Sequence, residues 1–232
     1  VAFSVRKLSN AYSGPVMRVR RASDNAIADV AFNNSNEIGP TSSVTIVSVG
    51  TSAYNVNDTD VFSSFSAATD VHVVIWYDQS GNANNLIENN VNNQPKIVVG
   101  GALQTENGKP FIRFYGVTSG NYNQLGLTNS LNINAQVIVV NNFISGGDGF
   151  LLGGSNDYFW HSDVAGGKLF INYASTSVYE GTVFQNGVSK SNVTSIWNTS
   201  LSINSVAPQT ANSNTLWDNI GRDRTYHHTT GG

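Results

Sequence analysis

The fold of this chain is decided by Trp76-Tyr77-Asp78-Gln79-Ser80-Gly81-Asn82-Ala83-Asn84-Asn85-Leu86. An aromatic pair ends an apolar run, and an acid, an amide, a hydroxyl, a glycine and three asparagines follow. So many oxygen-bearing side chains fit three uses: a metal loop, a sugar contact or a self-bonded turn. In the turn reading, Asp78 and Ser80 bond amides of their own loop, Gly81 supplies a permissive backbone, and Trp76 or Tyr77 faces the core. Calcium is the weaker alternative, because hard-cation sites gather several carboxylates and only Asp78 is close by. A direct sugar contact is the third. The turn reading outweighs both, so Trp76, Tyr77, Asp78, Gln79, Ser80, Gly81 and Asn82 are expected to mark the fold rather than the chemistry.

Outward from this stretch, short apolar or alternating runs are punctuated by Gly, Asn and Pro, the pattern of β-strands and turns. Residues 16–21 set Met17 and Val19 against Arg18 and Arg20, as a half-buried strand would. Residues 44–49, 71–77, 110–115, 135–143, 150–152, 168–173, 201–206 and 215–220 read likewise. Asn186-Gly187 is the step that favours a type I′ hairpin. The continuous run at residues 137–140 predicts a strand covered on both faces. Helical signals are few. Val61, Phe62 and Phe65 share a face over residues 60–65, with Asp58 or Thr59 as N-cap. Val5, Leu8 and Ala11 do the same over residues 4–11. The expectation is an all-β fold with one or two short helices, arranged as a two-sheet sandwich or jelly roll in one domain spanning residues 1–232.

Composition narrows the function. Charged residues make up 12% of the 232, against about 25% in an ordinary soluble domain. Surface polarity must therefore come from Asn, Ser, Thr and Gly. The net charge of −3 offers no basic footprint for nucleic acid and no polybasic run for a membrane. With no cysteine, a disulfide framework, a thiolate metal site and a cysteine nucleophile are all excluded. The chain opens on Val1 and closes in turn-like residues around His227 and His228, and is read as a fragment of a longer chain lacking its last strand. Those two histidines would point to opposite sides of a strand, so a metal pair there is disfavoured. Sequons at Asn33, Asn57, Asn192 and Asn198 are expected by chance in an Asn-rich chain.

Two blocks carry a family resemblance. Residues 6–15, Arg-Lys-Leu-Ser-Asn-Ala-Tyr-Ser-Gly-Pro, are followed by Arg18-Val19-Arg20-Arg21-Ala22-Ser23-Asp24-Asn25, and then, across an apolar strand, by the turn at Tyr77–Asn82. Together they resemble the opening of the α-L-arabinofuranosidase B catalytic domain. Residues 94–98 and 106–110 continue a pattern similar to phage and bacterial laminin-G-like modules. The resemblance covers most of residues 1–116 and implies a concanavalin A-like β-sandwich.

The same resemblance bears on activity. A retaining glycosidase needs two carboxyl groups about 5 Å apart. The family's acid/base aspartate follows an Ile-Gly-Gly turn, and Ile220-Gly221-Arg222-Asp223 makes Asp223 its positional equivalent, with Arg in place of the second Gly. The family's nucleophile, a glutamate in a Met-Glu-Asn-Asn step, has no counterpart. The comparable region offers Asp157 and Asp163 but no Glu, Glu180 stands in a turn-like context, and the family's adjacent cysteine pair is missing. One carboxylate without its partner cannot run double displacement.

A non-catalytic structural or glycan-binding module is therefore expected, set in a virion appendage, fibre or capsid decoration or in a bacterial surface protein. An arabinofuranosidase-like hydrolase is the alternative. Partners would be a cell-surface or polymeric glycan and other virion or surface proteins, with a homo-oligomer (a trimer, if a fibre). Neither nucleic acid nor membrane is expected, and no cofactor beyond the calcium alternative. For sugar stacking, the best cluster is Tyr158, Trp160, Ser162 and Asp163, which share a face if extended except for Asp163, with Asp223 as neighbour if the family geometry holds. Packing of those aromatics between sheets is the competing reading.

Overall fold

The computed structural model describes residues 1–115, 123–132, 136–142, 150–154, 160–161, 175–191, 200–209, 216–223 and 226–227. It divides into two compact units, Val1–Arg113 and Phe114–Gly232. Both are built from antiparallel strands, so the protein is all-β, as its alternation requires.

The first unit holds β1 (Met17–Arg21), β2 (Ile27–Val30), β3 (Ser43–Ser48), β4 (Thr59–Val61), α1 (Phe62–Phe65), β5 (Val71–Trp76), β6 (Leu86–Ile87), β7 (Lys96–Val99), β8 (Ala102–Leu103), β9 (Thr105–Glu106) and β10 (Lys109–Pro110). Strands β1 to β4 form a meander, and β5 returns to pair with β1, giving the order β6-β5-β1-β2-β3-β4. β7 pairs with the first half of β5 through Val71↔Val98 and His72↔Lys96. A bulge between Arg18 and Val19 shifts the β1–β5 register, as an extra residue in one strand does.

Alternation places Met17, Val19, Ala28, Val30, Val44, Ile46 and Val73 in the buried core. α1 caps this layer with Phe62 and Phe65, both buried. The helix is shorter than its sequence pattern, and its N-cap is Val61, without a side-chain cap, rather than Asp58 or Thr59. Those side chains are used elsewhere or left exposed: the Asp58 carboxylate accepts the Asn55 amide at 2.7 Å. The helix expected over residues 4–11 does not form. Its backbone is instead held out of a helix, with Ser4 O, Arg6 O and Leu8 N all bonded to the Gln79 side chain and Arg6 bridged to Glu37. The strand expected over residues 110–115 reduces to β10 and an isolated bridge, Lys96↔Arg113.

The second unit holds β11 (Leu125–Asn132), β12 (Val137–Asn141), β13 (Phe150–Gly153), β14 (Trp160–His161), α2 (Thr176–Tyr179), β15 (Thr182–Gln185), β16 (Val188–Lys190), β17 (Ser202–Ala207), β18 (Leu216–Ile220), β19 (Arg222–Asp223) and β20 (Tyr226–His227). One sheet runs β14-β13-β18-β11, a second runs β12-β17-β15-β16, and β19 pairs with β20. The β15–β16 turn is the expected hairpin. Asn186 and Gly187 both take positive φ, 51° and 78°, the backbone that a type I′ turn demands. β12 departs from expectation: Ile138 and Val140 are 62% and 61% exposed, so this run is open on one side. The strand expected at residues 168–173 lies outside the described residues.

Candidate functional site

The turn after β5 is a hydrogen-bond hub. Asp78 Oδ1 accepts the amides of Ala2 at 2.8 Å and Ser80 at 2.9 Å. Its Oδ2 accepts the Ser80 hydroxyl at 2.9 Å and the Asn84 amide at 3.3 Å. The Asp78 amide in turn donates to Asn85 Oδ1 at 3.0 Å. Gly81 takes φ 89°, and Asn82 closes the loop by donating its side-chain amide to Ser80 Oγ at 3.0 Å. A carboxylate has about four acceptor positions, and the chain itself engages four here. A calcium ion at this loop would have to displace those donors. Among the described residues, no three of His, Cys, Asp and Glu gather as metal ligands.

Gln79 works with Asp78. Its Nε2 donates to Ser4 O and Arg6 O at 2.8 and 3.0 Å, and its Oε1 accepts Leu8 N at 2.8 Å. Its backbone amide donates to Ala2 O at 2.8 Å. Both side chains are buried. Burial pushes the Asp78 carboxyl up, but the donors from Ser80, Ala2 and Asn84 outweigh it, so the group ends below the usual carboxylate range. Trp76 packs against Phe3, ring centroids 5.8 Å apart.

Two other carboxylates are depressed the same way. Asp24 is lowered first by its hydrogen bonds to Arg21, and Asp70 first by Lys96 at 2.7 Å. With folded pKa values under the unfolded value of about 3.9, the unfolded chain binds more protons in acid. The stability these groups add is full above that value and drains as pH falls through the folded ones. Urea denaturation should therefore show a lower midpoint at about pH 3 than at about pH 7.

The arginines of β1 separate by face as alternation predicts. Arg21 pairs with Asp24 and lies over the Tyr54 and Phe65 rings, 4.9 and 5.1 Å from their centroids. Arg18 makes a bidentate pair with Asp29. Arg20 is buried with neutral acceptors, Gln94 Oε1, Asn25 Oδ1 and Val91 O. Burial lowers its pKa, and its role is to pin the asparagine-rich loop before β7.

In the second unit, Trp160 is fully buried in β14, paired with Leu152 of β13. This is the packing role that competed with sugar stacking. Tyr158, Ser162, Asp163 and Asp157 lie outside the described residues. Asp223 is placed by its backbone in β19, opposite Tyr226, and its side chain is outside the described set. Gly221 before it has φ 82°, and a Cβ there would stand 2.4 Å from Asn123 O. The turn after β18 thus requires glycine at this position. Glu180 is exposed at the end of α2. A polar row that sequence reading missed crosses the second sheet: Asn204 donates to Asn141 Oδ1 at 2.8 Å, and Gln185 donates to Asn204 Oδ1 at 3.2 Å. Asn204 and Gln185 are buried, so the row is an internally satisfied polar core. Register across three strands, invisible in a one-dimensional pattern, brings it together.

Residues 1–108 match the family model for the catalytic domain of alpha-L-arabinofuranosidase B. The match contains the Asp78 turn and both sequence blocks, and it ends before Gly221 and Asp223. No curated protein and no solved structure matches the chain.

Proposed function

We propose that this protein is a non-catalytic structural or glycan-binding module on an arabinofuranosidase B-like scaffold. The observation that carries this reading is the distribution of glutamates. The chain has four, Glu37, Glu88, Glu106 and Glu180, and none falls at residues 160–173, the region the resemblance compares with the nucleophile strand. Glu37 is occupied by Arg6 and Lys109. A retaining mechanism needs its second carboxyl group about 5 Å from the first. The signature turn adds support, because its polar groups are committed to holding the chain. An extracellular or virion-surface setting, with glycan or surface-protein partners and a homotrimer if the chain serves in a fibre, belongs to the same proposal and fits a surface built from Asn, Ser, Thr and Gly. Light scattering on the purified chain would test the oligomer.

The second reading, an arabinofuranosidase-like hydrolase, draws on the family match over residues 1–108, and its acid/base would be Asp223. Incubation with 4-nitrophenyl α-L-arabinofuranoside decides between them. No release of nitrophenol above the uncatalysed rate is expected. Release that Asp223→Asn abolishes would overturn the non-catalytic reading.

A further inference from the structure

The face of the first sheet opposite Met17 and Val19 carries side chains that the Asp78 turn does not use. Arg18 of β1 stands in register with Asp29 of β2. Its Nε and Nη2 donate to Asp29 Oδ1 and Oδ2 at 2.9 and 2.8 Å. Tyr77, one residue beyond β5, donates its hydroxyl to the same Oδ1 at 2.9 Å. Tyr12 donates its hydroxyl to Pro15 O at 2.8 Å and meets Phe32 edge-on, centroids 6.2 Å apart. Three adjacent strands thus bring a phenol, a guanidinium and a carboxylate into direct contact, and the Tyr12 phenol of the 12–15 loop stands within electrostatic reach of Asp29 and Tyr77. The pair remains open to solvent, with Arg18 and Asp29 side chains 29% and 24% exposed.

We propose that Tyr12, Arg18, Asp29 and Tyr77 form a binding subsite for an uncharged polyhydroxyl ligand, a neutral saccharide. The guanidinium and carboxylate cancel in formal charge, so the pair adds no net charge that would favour an ionic ligand. Both phenols stay protonated: burial raises Tyr12 and Tyr77, the charges of Asp78 and then Asp29 raise Tyr12 further, and Asp29 raises Tyr77. Hydrogen-bonding capacity is left over. Arg18 Nη1 makes no hydrogen bond among the described residues, and Asp29 accepts three of the roughly four that a carboxylate can take. Aromatic surface beside fixed polar groups is what sugar recognition uses. Because the polar groups already hold one another, a ligand would not have to order them.

This inference rests on the glycan-binding reading and names its site. The protein would be applied to an array of neutral and uronate-containing oligosaccharides, and the strongest neutral binder titrated calorimetrically against wild type, Tyr77→Phe and Arg18→Lys. Neutral glycans should bind in preference to uronates, and both variants should bind about tenfold more weakly, the loss of one ligand hydrogen bond, with only a small fall in thermal midpoint because the pair they touch is part-exposed. In the wild type, amide shift changes on adding that glycan should centre on residues 12, 18, 29 and 77, a readout independent of how the variants fold. A merely structural Arg18–Asp29 pair would lower the midpoint without touching affinity. Unchanged affinity in both variants, shifts centred elsewhere, or preference for uronates overturns the subsite and leaves the glycan-binding reading standing. No binding to any glycan overturns both.

Discussion

Asp78→Ala is expected to lower the unfolding free energy by about 3 kcal/mol. The substitution strips the acceptor from the amides of Ala2, Ser80 and Asn84 and from the Ser80 hydroxyl. A buried donor left unpaired costs about 1–3 kcal/mol. Ala2 is only half-buried and its amide can rehydrate, which keeps the sum toward the lower end. Asp78→Asn keeps the shape but turns one oxygen into a donor that faces amide N–H groups, so it should recover only part of the loss. The variant should also lose part of the acid sensitivity, because the depressed carboxyl of Asp78 is one of its sources. Urea denaturation followed by fluorescence gives the shift in midpoint, with the slope unchanged if only the folded state is affected. A loss under about 1 kcal/mol would mean that water replaces the carboxylate, and the hub assignment would fail.

Phe65→Ala should cost about 3–5 kcal/mol, the range for deleting a buried phenyl ring. Phe65 has no exposed surface, and α1 exists to place it and Phe62 over the sheet. Its ring lies 6.4 Å from that of Tyr54, and both rings face the Arg21 guanidinium. Removing the ring therefore opens a cavity and takes away half of a cation–π pair. The Arg21 bond to Phe65 O at 3.2 Å survives, as does the Asp24 pair, so the arginine itself is not stranded. Phe65→Leu should cost clearly less, since it refills most of the space. Equal losses in the two variants would show that the aromatic geometry, not volume, holds α1.

The two predictions touch features of very different legibility. Phe62 and Phe65 announce themselves by spacing, as do the alternating Met17 and Val19 and the Asn186-Gly187 turn, because local periodicity is the physics that forms them. The Asp78–Ser80 part of the turn is equally local and was readable. Its extension to Ala2, and the reach of Gln79 to Ser4, Arg6 and Leu8, were not. That is why an apolar spacing over residues 4–11 reads as a helix when the backbone is in fact held in a non-helical path by a glutamine far along the chain. Exposure of Ile138 and Val140 escaped for the opposite reason: an unbroken apolar run carries no alternation to say which side faces water. For the candidate site, the Arg18–Asp29–Tyr77 grouping depends on the register of β1, β2 and β5. The sequence offered only the alternation that sets Arg18 and Arg20 against Met17 and Val19.

The bonds from Asp78 and Gln79 to the chain start join positions 71 to 76 residues apart. Closing so long a loop for a few hydrogen bonds is entropically unfavourable until β1 to β5 have already brought the ends together. The first eight residues must therefore dock late, after the rate-limiting crossing. Interactions formed after that crossing govern how fast a protein comes apart, not how fast it assembles. The turn is thus a latch: Gln79→Ala, which strips only the side-chain bonds to residues 4–8, should refold at nearly the wild-type rate and unfold much faster, shortening the lifetime of the folded state.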